Sequence, residues 1–153
     1  MERTLINELS KHKGKEVTIN GWVSVRRDQG KMAFFDFRDR TGMVQGVVFG
    51  KPEVLEVAKE TRVESSVAIT GMVNERPEKM VNDKVDNGDI ELEITGIEIL
   101  NQSAEMPFDM EAELNMETNL DNRPLTLTRK RERAIFTIQA AITKSYGEYL
   151  RSK

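Results

Sequence analysis

The chain has 153 residues, enough for one domain or for one domain and part of another. It is 38% hydrophobic and 32% charged and has no cysteine, which fits a soluble globular protein and excludes disulfides, thiolate metal sites and a cysteine nucleophile. No apolar run approaches the roughly 20 residues of a membrane span, and the N-terminal stretch lacks the apolar core of a secretory signal, so we expect a cytoplasmic protein with no membrane partner.

Basic charge is confined to the two ends of the chain. Residues 1–50 carry nine Lys/Arg against six Asp/Glu, residues 51–128 carry seven against eighteen, and residues 129–153 carry seven against two. This distribution excludes a polycation but allows a local basic surface. The single histidine, His12, lies in the polar run KHKGK, which is typical of a solvated side chain rather than a ligand.

The first 50 residues predict a short helix and three strands. Residues 4–11 predict the helix, with Thr4 as its N-cap. Apolar alternation in KEVTINGWVSVRR predicts a long strand that bends at Gly21. RDQGK then predicts a turn, KMAFFDFRDR a second strand, DRTG another turn and MVQGVVF a third strand.

The next 50 residues complete a barrel pattern. Residues 52–61 predict a helix with Pro52 in its first turn, and SSVAITGMVNE predicts a fourth strand. A polar loop, RPEKMVNDKVDNG, precedes the fifth strand, DIELEITGIEIL, whose register shifts at Gly96. We therefore predict an all-β core, a five-stranded barrel of the oligonucleotide/oligosaccharide-binding (OB) fold. A helix lies between strands 3 and 4, and a short N-terminal helix and a C-terminal helix flank the barrel.

Beyond residue 100 the pattern changes. Residues 101–128 are acidic, contain Pro107 and Pro124, and predict an extended hinge. Apolar residues then recur at helical spacing and predict one amphipathic helix over 130–151; they are Ile135, Ile138, Ile142, Tyr146 and Tyr149. We divide the chain into a barrel domain (1–104), a hinge (105–129) and the opening helix of a further domain (130–153).

The second strand places an aromatic ring on its polar face. Strand alternation sends Phe35 and Phe37 into the core, so Phe34 points outward. OB barrels bind single strands on the face of the second and third strands, where an exposed ring stacks on a base. Gln45 and Glu91 share this open face and carry groups that can read base edges.

Each of these signals also has an ordinary structural explanation. An outward phenylalanine is often covered by a neighbouring loop or helix, and a glutamine on a strand is usually solvated. Arg38, Asp39 and Arg40 can form ion pairs around their turn. Only the convergence of several such residues on one face favours a binding site.

The string GWVSVRRDQGKMAFFDFRDRTGMVQGVVF, residues 21–49, resembles the anticodon-binding domain of class IIb aminoacyl-tRNA synthetases, above all that of aspartyl-tRNA synthetases. The likeness continues through TGMVNERPEKMVNDKVDNGDIELEI and NLDNRPLTLTRKRERAIFTIQAAI and covers nearly the whole chain. It implies that Phe34 stacks on an anticodon base, that Gln45 recognises the central uracil, and that Glu91 reads the first base. It also implies anticodon contacts by three further residues, Arg27, Arg76 and Asn82. Arg26 and Lys31, beside the first turn, are candidates for backbone contacts.

Three positions bear on departures from the family pattern, and one of them is Met80, in a loop where the bacterial enzymes tend to have a polar side chain. Val25 replaces the first arginine of the family's RRR run, which removes one basic contact. Gln29 occupies a variable position near the third anticodon base. The preference between tRNA for aspartate and tRNA for asparagine therefore stays open.

The resemblance also implies what this chain does not contain. The family's catalytic domain follows the helix at 130–151, and its ATP-binding arginine, aspartate pocket and Mg²⁺ carboxylates lie there. We therefore expect no catalytic residue, cofactor or metal in this chain, which should be inactive alone. ATP and Mg²⁺ would belong to the full-length, homodimeric aspartate–tRNA ligase, whose partner is a tRNA with a central uracil in its anticodon.

Three alternatives stay open. The first is a free-standing OB-fold RNA-binding protein. The second is a protein-interaction module that uses the exposed aromatic face and the helix stripe. The third is the same region of an asparagine–tRNA or lysine–tRNA ligase.

Overall fold

The computed structural model describes residues 3–82 and 85–153, and the chain divides into two compact units, Met1–Glu105 and Met106–Lys153. The described residues of the first unit form five strands: β1 (Glu16–Gln29), β2 (Met32–Arg38), β3 (Met43–Phe49), β4 (Ser66–Glu75) and β5 (Ile90–Asn101). A 3₁₀ helix (Ile6–His12) precedes β1, helix α1 (Pro52–Glu60) joins β3 to β4, and a short 3₁₀ turn (Glu78–Met80) follows β4.

The five strands close into a barrel in the order β1-β2-β3-β5-β4. All neighbouring strands are antiparallel except β3 and β5, which pair in parallel through Gly46–Leu92 and Val47–Glu93. The predicted OB-fold barrel, with a helix between strands 3 and 4, is confirmed.

The core consists of the inward residues of every strand. Phe35 and Phe37 are almost fully buried, and their rings stack with centroids 5.4 Å apart. Ile6 and Leu9 of the 3₁₀ helix and Ala58 of α1 complete the core. Because strand side chains alternate between faces, this fixed set of inward residues also fixes which residues face outward.

The long strand β1 pairs with β4 through its first half and with β2 through its second half, and its register shifts between Val23 and Val25. A Cβ atom on Gly21 would lie 2.3 Å from the carbonyl oxygen of Arg38. The absence of a side chain at Gly21 therefore permits the close approach of β1 and β2, while the bend expected at Gly21 stays a prediction.

We expect Gly21→Ala to lower the free energy of unfolding by about 1–3 kcal/mol, because backbone must move to admit the new methyl group. Gly96→Ala is the matched control, since its Cβ would find its nearest neighbour, the Thr70 Cβ, at 3.9 Å. Urea denaturation of both variants measures the difference. Equal losses would show that the close approach at Gly21 has no special cost.

The turn between β2 and β3 caps the N-terminal 3₁₀ helix. Asp39 Oδ2 accepts the Ile6 N–H at 3.0 Å, and Asp39 Oδ1 accepts the backbone N–H groups of Thr41 and Gly42 at 2.7 and 3.2 Å. The prediction that Thr4 caps this helix is wrong: Leu5 holds the N-cap position and makes no side-chain cap bond. The buried carboxylate of Asp39 supplies the acceptor from 33 residues further along the chain.

Burial alone would raise the pKa of Asp39, but the Thr41 hydroxyl and the backbone N–H groups of Ile6, Thr41 and Gly42 outweigh it and hold the pKa below its usual value. A lowered folded-state pKa stabilises the fold above the unfolded pKa of about 3.9, and this contribution is lost as pH falls through the folded pKa.

We therefore expect Asp39→Asn to destabilise the protein by about 1–3 kcal/mol at neutral pH, since one acceptor oxygen and the charge are removed. The difference from the parent protein should shrink as pH falls below about 4. Glu98→Gln, an exposed neutralisation on β5, is the control. Urea unfolding at several pH values tests this, and a difference that grows in acid would contradict it.

The connection between β1 and β2 differs from the prediction. The strand β1 runs on to Gln29, which pairs with Met32, so the connection to β2 contains only Gly30 and Lys31 rather than the five residues RDQGK. Gly30 has a φ of +63°, a conformation that glycine adopts without strain and that a tight hairpin requires.

The second unit contains three helices: α2 (Met116–Asp121), α3 (Arg123–Thr126) and α4 (Lys130–Arg151). The expectation of an extended hinge over 105–129 is wrong across 116–126. Asn115 caps α2 by accepting the Thr118 N–H at 2.8 Å, and Pro124 lies in the first turn of α3, where a missing N–H costs no hydrogen bond.

The helix α4 confirms the amphipathic prediction for 130–151. Its apolar stripe is exposed within this structure, with exposed fractions from 45% at Ile135 to 65% at Tyr146. Across the described residues, no helix combines the length and hydropathy needed to cross a membrane.

Candidate nucleic-acid interface

The outward residues of the barrel form rows that run across neighbouring strands. In the first row, Asp36 of β2 pairs with Gln45 of β3, and Glu91 of β5 lies beside Gln45 by the parallel register that joins Gly46 to Leu92. All three side chains are half-buried. Two predicted site residues, Gln45 and Glu91, are therefore neighbours on adjacent strands.

The second row contains the aromatic residue. Arg27 of β1 pairs with Phe34 of β2, which pairs with Val47 of β3. Phe34 is half-buried rather than covered, so part of its ring stays open to solvent. This row lies next to the first, because Phe34 and Asp36 are two residues apart on the same strand. The structure thus brings Arg27, Phe34, Gln45 and Glu91 onto one face.

Three cation–carboxylate pairs occupy this face. Arg27 Nη2 lies 3.2 Å from Asp36 Oδ1, Arg76 Nε lies 3.8 Å from Glu91 Oε2, and Lys51 Nζ lies 3.7 Å from Glu93 Oε1. Asn74 also donates to Glu93 at 3.1 Å. The face is therefore close to electrically neutral and presents paired donors and acceptors, which suits contacts to base edges more than a general attraction for phosphate.

Arg76 is the most enclosed of these cations. Its side chain is only 10% exposed, and its Nε has no hydrogen-bond partner among the residues that the structure describes. Its backbone N–H donates to the Asp89 carbonyl at 2.9 Å, which holds it at the start of the loop between β4 and β5. A buried donor without a partner has a free-energy cost, so it merits a functional explanation.

Asn87, between β4 and β5, is an anchoring residue that sequence reasoning missed. Asn87 has a φ of +54° and donates through Nδ2 to the Met43 carbonyl at 2.9 Å, on the strand that carries Gln45. Asn82, a predicted site residue, donates its backbone N–H to the Gly88 carbonyl at 3.2 Å. The dipeptide Asn87–Gly88 is a turn signal that could have located this anchor. Residues 83 and 84 lie outside the described residues.

Two predicted residues lie apart from the rows. Arg26 points toward the end of α1, where its Nη1 donates to the Lys59 and Thr61 carbonyls at 2.6 and 3.0 Å. Its hydrogen bonds to Asp28 also hold the pKa of that carboxyl below its usual value. Lys31 is exposed in the hairpin turn. Their contacts with a nucleic-acid backbone stay predictions, and the guanidinium of Arg26 already has protein partners.

Of the three charged residues at 38–40, which were expected to form ion pairs around their turn, one does so. Arg38 forms an ion pair with Glu64 at 2.5 Å, while Asp39 is the helix cap described above and Arg40 is exposed. None of these three residues belongs to either of the two rows described above.

The barrel matches a known family. The family model for the OB-fold nucleic acid binding domain matches residues 17–100, more than half of the chain, and the chain belongs to this family.

The chain is also similar to parts of named tRNA ligases. The chain is 40% identical to an aspartate–tRNA(Asp/Asn) ligase of Corynebacterium aurimucosum over 97% of this chain and 25% of that protein. It is 38% identical to an asparagine–tRNA ligase of Desulforamulus reducens over 97% of this chain and 33% of that protein. The chain thus spans about a quarter to a third of the curated relatives it matches.

Among solved structures, the asparaginyl-tRNA synthetase of Pyrococcus horikoshii with asparaginyl-adenylate superposes with a TM-score of 0.81 at 28% identity, over 98% of this chain and 34% of that one. The aspartyl-tRNA synthetase of Entamoeba histolytica superposes with a TM-score of 0.88 over 99% of this chain and 38% of that one, and at 24% identity it supports the fold alone. The resemblance to the aspartyl-tRNA synthetases, drawn from residues 21–49, is confirmed by these relatives.

We expect Arg76→Met to cost less than about 1 kcal/mol of unfolding free energy, because it loses the 3.8 Å ion pair with Glu91 but also removes a buried Nε–H that has no hydrogen bond and keeps the apolar stem. Arg26→Met, which removes a guanidinium with several partners, should instead cost about 1–3 kcal/mol. Urea denaturation compares the two variants. A larger loss for Arg76→Met than for Arg26→Met would make Arg76 a structural residue.

Proposed function

We propose that this chain is the tRNA anticodon-binding region of an aspartate–tRNA ligase and that it accepts tRNAs whose anticodon has a central uracil. The observation that carries the proposal is the placement of Phe34, Gln45 and Glu91 on adjacent strands of one OB face. An aromatic platform beside an amide and a carboxylate is what an unpaired base requires for stacking and edge recognition.

The three side chains would act on successive parts of the anticodon. The open ring of Phe34 would stack on the central base, a contact worth about 1–3 kcal/mol. The Gln45 amide carries both donors and acceptors and so matches the mixed edge of uracil. The Glu91 carboxylate would accept from the N–H groups of a guanine as first base, and Arg76, 3.8 Å away, fixes where that carboxylate lies.

Relaxed selection at the third base fits the relatives. The Corynebacterium relative is named as a ligase for both tRNA(Asp) and tRNA(Asn), whose anticodons share the first two letters and differ in the third. In this chain the exposed Gln29 ends β1, beside the hairpin turn. A glutamine amide can donate to one base and accept from another, so it would tolerate either third letter.

The activity of the whole enzyme is part of the proposal. A full-length ligase would use ATP and Mg²⁺ to activate its amino acid and would act as a homodimer. The described residues contain no group of three His, Asp or Glu side chains placed to hold a metal ion. We assign no step of that chemistry to residues of this chain, whose part would be to select the tRNA.

The proposal is tested by a binding titration with anticodon stem-loops GUC, GUU, UUU and GCC, monitored by fluorescence anisotropy. The first two loops should bind best, and GCC, which lacks the central uracil, should bind worst. Phe34→Ala should weaken GUC binding by about 5- to 100-fold, since one stacking contact is lost. Equal binding of all four loops would overturn the proposal.

Salt dependence supplies the control within the same titration. Phe34→Ala should leave the slope of log affinity against log salt unchanged, because the ring contacts no phosphate. If the Lys31 ammonium contacts a phosphate, Lys31→Ala should reduce the magnitude of this slope by about 1, the value for one phosphate contact. A circular dichroism spectrum and urea midpoint like those of the parent protein would exclude unfolding of either variant.

A further inference from the structure

A third row of outward residues lies on the hairpin side of Phe34. Gln29 of β1 pairs with Met32 of β2, and Met32 pairs with Phe49 of β3. No motif or strand pattern in the sequence predicts a role for Phe49. We infer that the row Gln29–Met32–Phe49 is a second base subsite, in which Phe49 stacks on the third anticodon base. This inference rests on the proposed function and extends it.

The exposure of Phe49 is the first observation. Its side chain is 61% exposed, whereas Val47, two residues earlier on the same face, is only 8% exposed. The chain leaves the sheet directly after Phe49 through Gly50, whose φ is +67°, and continues into α1. A phenylalanine left open at the end of a strand gains nothing from burial, and in this fold it stands on the face that carries the other site residues.

Spacing is the second observation. Phe34 pairs with Val47 and Phe49 pairs with Met32, so the two phenylalanines are diagonal neighbours across β2 and β3. Diagonal neighbours on one face of an antiparallel pair lie about 7–8 Å apart. This separation lets each ring take one base of an unstacked single strand, as the aromatic residues of other RNA-binding sheets do.

The order of the rows identifies which base would lie there. The row with Glu91 is on one side of Phe34, and the row with Phe49 is on the other. If the central base stacks on Phe34 and the first base meets Glu91, the remaining neighbour of the central base must lie toward Phe49. Gln29, at the other end of this row, would be within reach of that base's edge.

Charge near Phe49 favours a nucleotide as the occupant. Lys31 is exposed in the hairpin turn next to Met32, and Lys51 follows Phe49 after one glycine. The Lys51 ammonium lies 3.7 Å from Glu93, which faces outward on β5, so it stands on the same side of the sheet. These two lysines, one exposed and one paired with Glu93, place cations where the phosphates flanking a stacked base would need them.

The test uses the 153-residue chain and three GUC stem-loops: the intact loop, a loop abasic at the third anticodon position and a loop abasic at the first. Phe49→Ala should weaken binding of the intact loop by about 5- to 100-fold. Its effect should fall below twofold on the loop that lacks the third base and persist on the loop that lacks the first. Phe49→Tyr should retain affinity, and Phe49→Leu should not.

Leu100→Ala is the matched control, since Leu100 is 51% exposed near the far end of β5, and it should bind like the parent protein. A Phe49→Ala effect of equal size on both abasic loops, or full affinity in Phe49→Leu, would overturn the inference and point to an apolar protein contact. Loss of affinity in Phe34→Ala but not in Phe49→Ala would refute only the inference. Parent-like binding in both variants would remove both rings from the site, and only equal binding of the GUC, GUU, UUU and GCC loops would refute the proposed function itself.

Discussion

Closure of the barrel between β3 and β5 is the constraint on which the proposed site depends. The two strands pair in parallel over only two residue pairs, and Gly46 belongs to one of these pairs. A Cβ atom at Gly46 would lie 2.8 Å from Phe37 and 2.9 Å from Ile94, so the core fills the space that a side chain would need. Closure brings the outer surface of β5 beside that of β3, and residues 46 positions apart in sequence become neighbours. Without it, the carboxylate of Glu91 would have no place next to Gln45.

The sequence predicted the strands well because their signal is local. A side-chain period of two is visible within five or six residues, and in this barrel almost every inward position is apolar. The N-terminal helix cap was missed because its acceptor, Asp39, lies in a different turn, and no spacing rule joins residue 6 to residue 39. The short helices at 116–126 were missed because six and four residues are too few to show an apolar period, and the first-turn position of Pro124, compatible with a helix, is visible only in the structure.

As with the fold, the local part of the candidate site could be predicted from the sequence and the long-range part could not. Strand alternation alone placed Phe34 on the outer face, and the family resemblance added Arg27, Arg76 and Asn82. What could not be predicted were contacts made by long side chains, because their direction depends on packing. Arg26 and Arg27 are adjacent in sequence, yet one donates to the end of α1 and the other pairs with Asp36. Phe49 escaped notice because a single apolar residue at a strand end is common on protein surfaces.

The ion pairs on the proposed binding face have a consequence for how recognition would be selective. In the free protein, Glu91 is matched by Arg76, Asp36 by Arg27 and Glu93 by Lys51. A base that claims one of these carboxylates must compete with the cation already beside it, so binding is an exchange of partners rather than the filling of vacant sites. A base with the right donors completes the exchange, whereas a wrong base separates the pair; the cost is greatest at Arg76–Glu91, where the arginine side chain is only 10% exposed. Discrimination would then arise from the penalty on mismatched anticodons more than from extra affinity for the correct one.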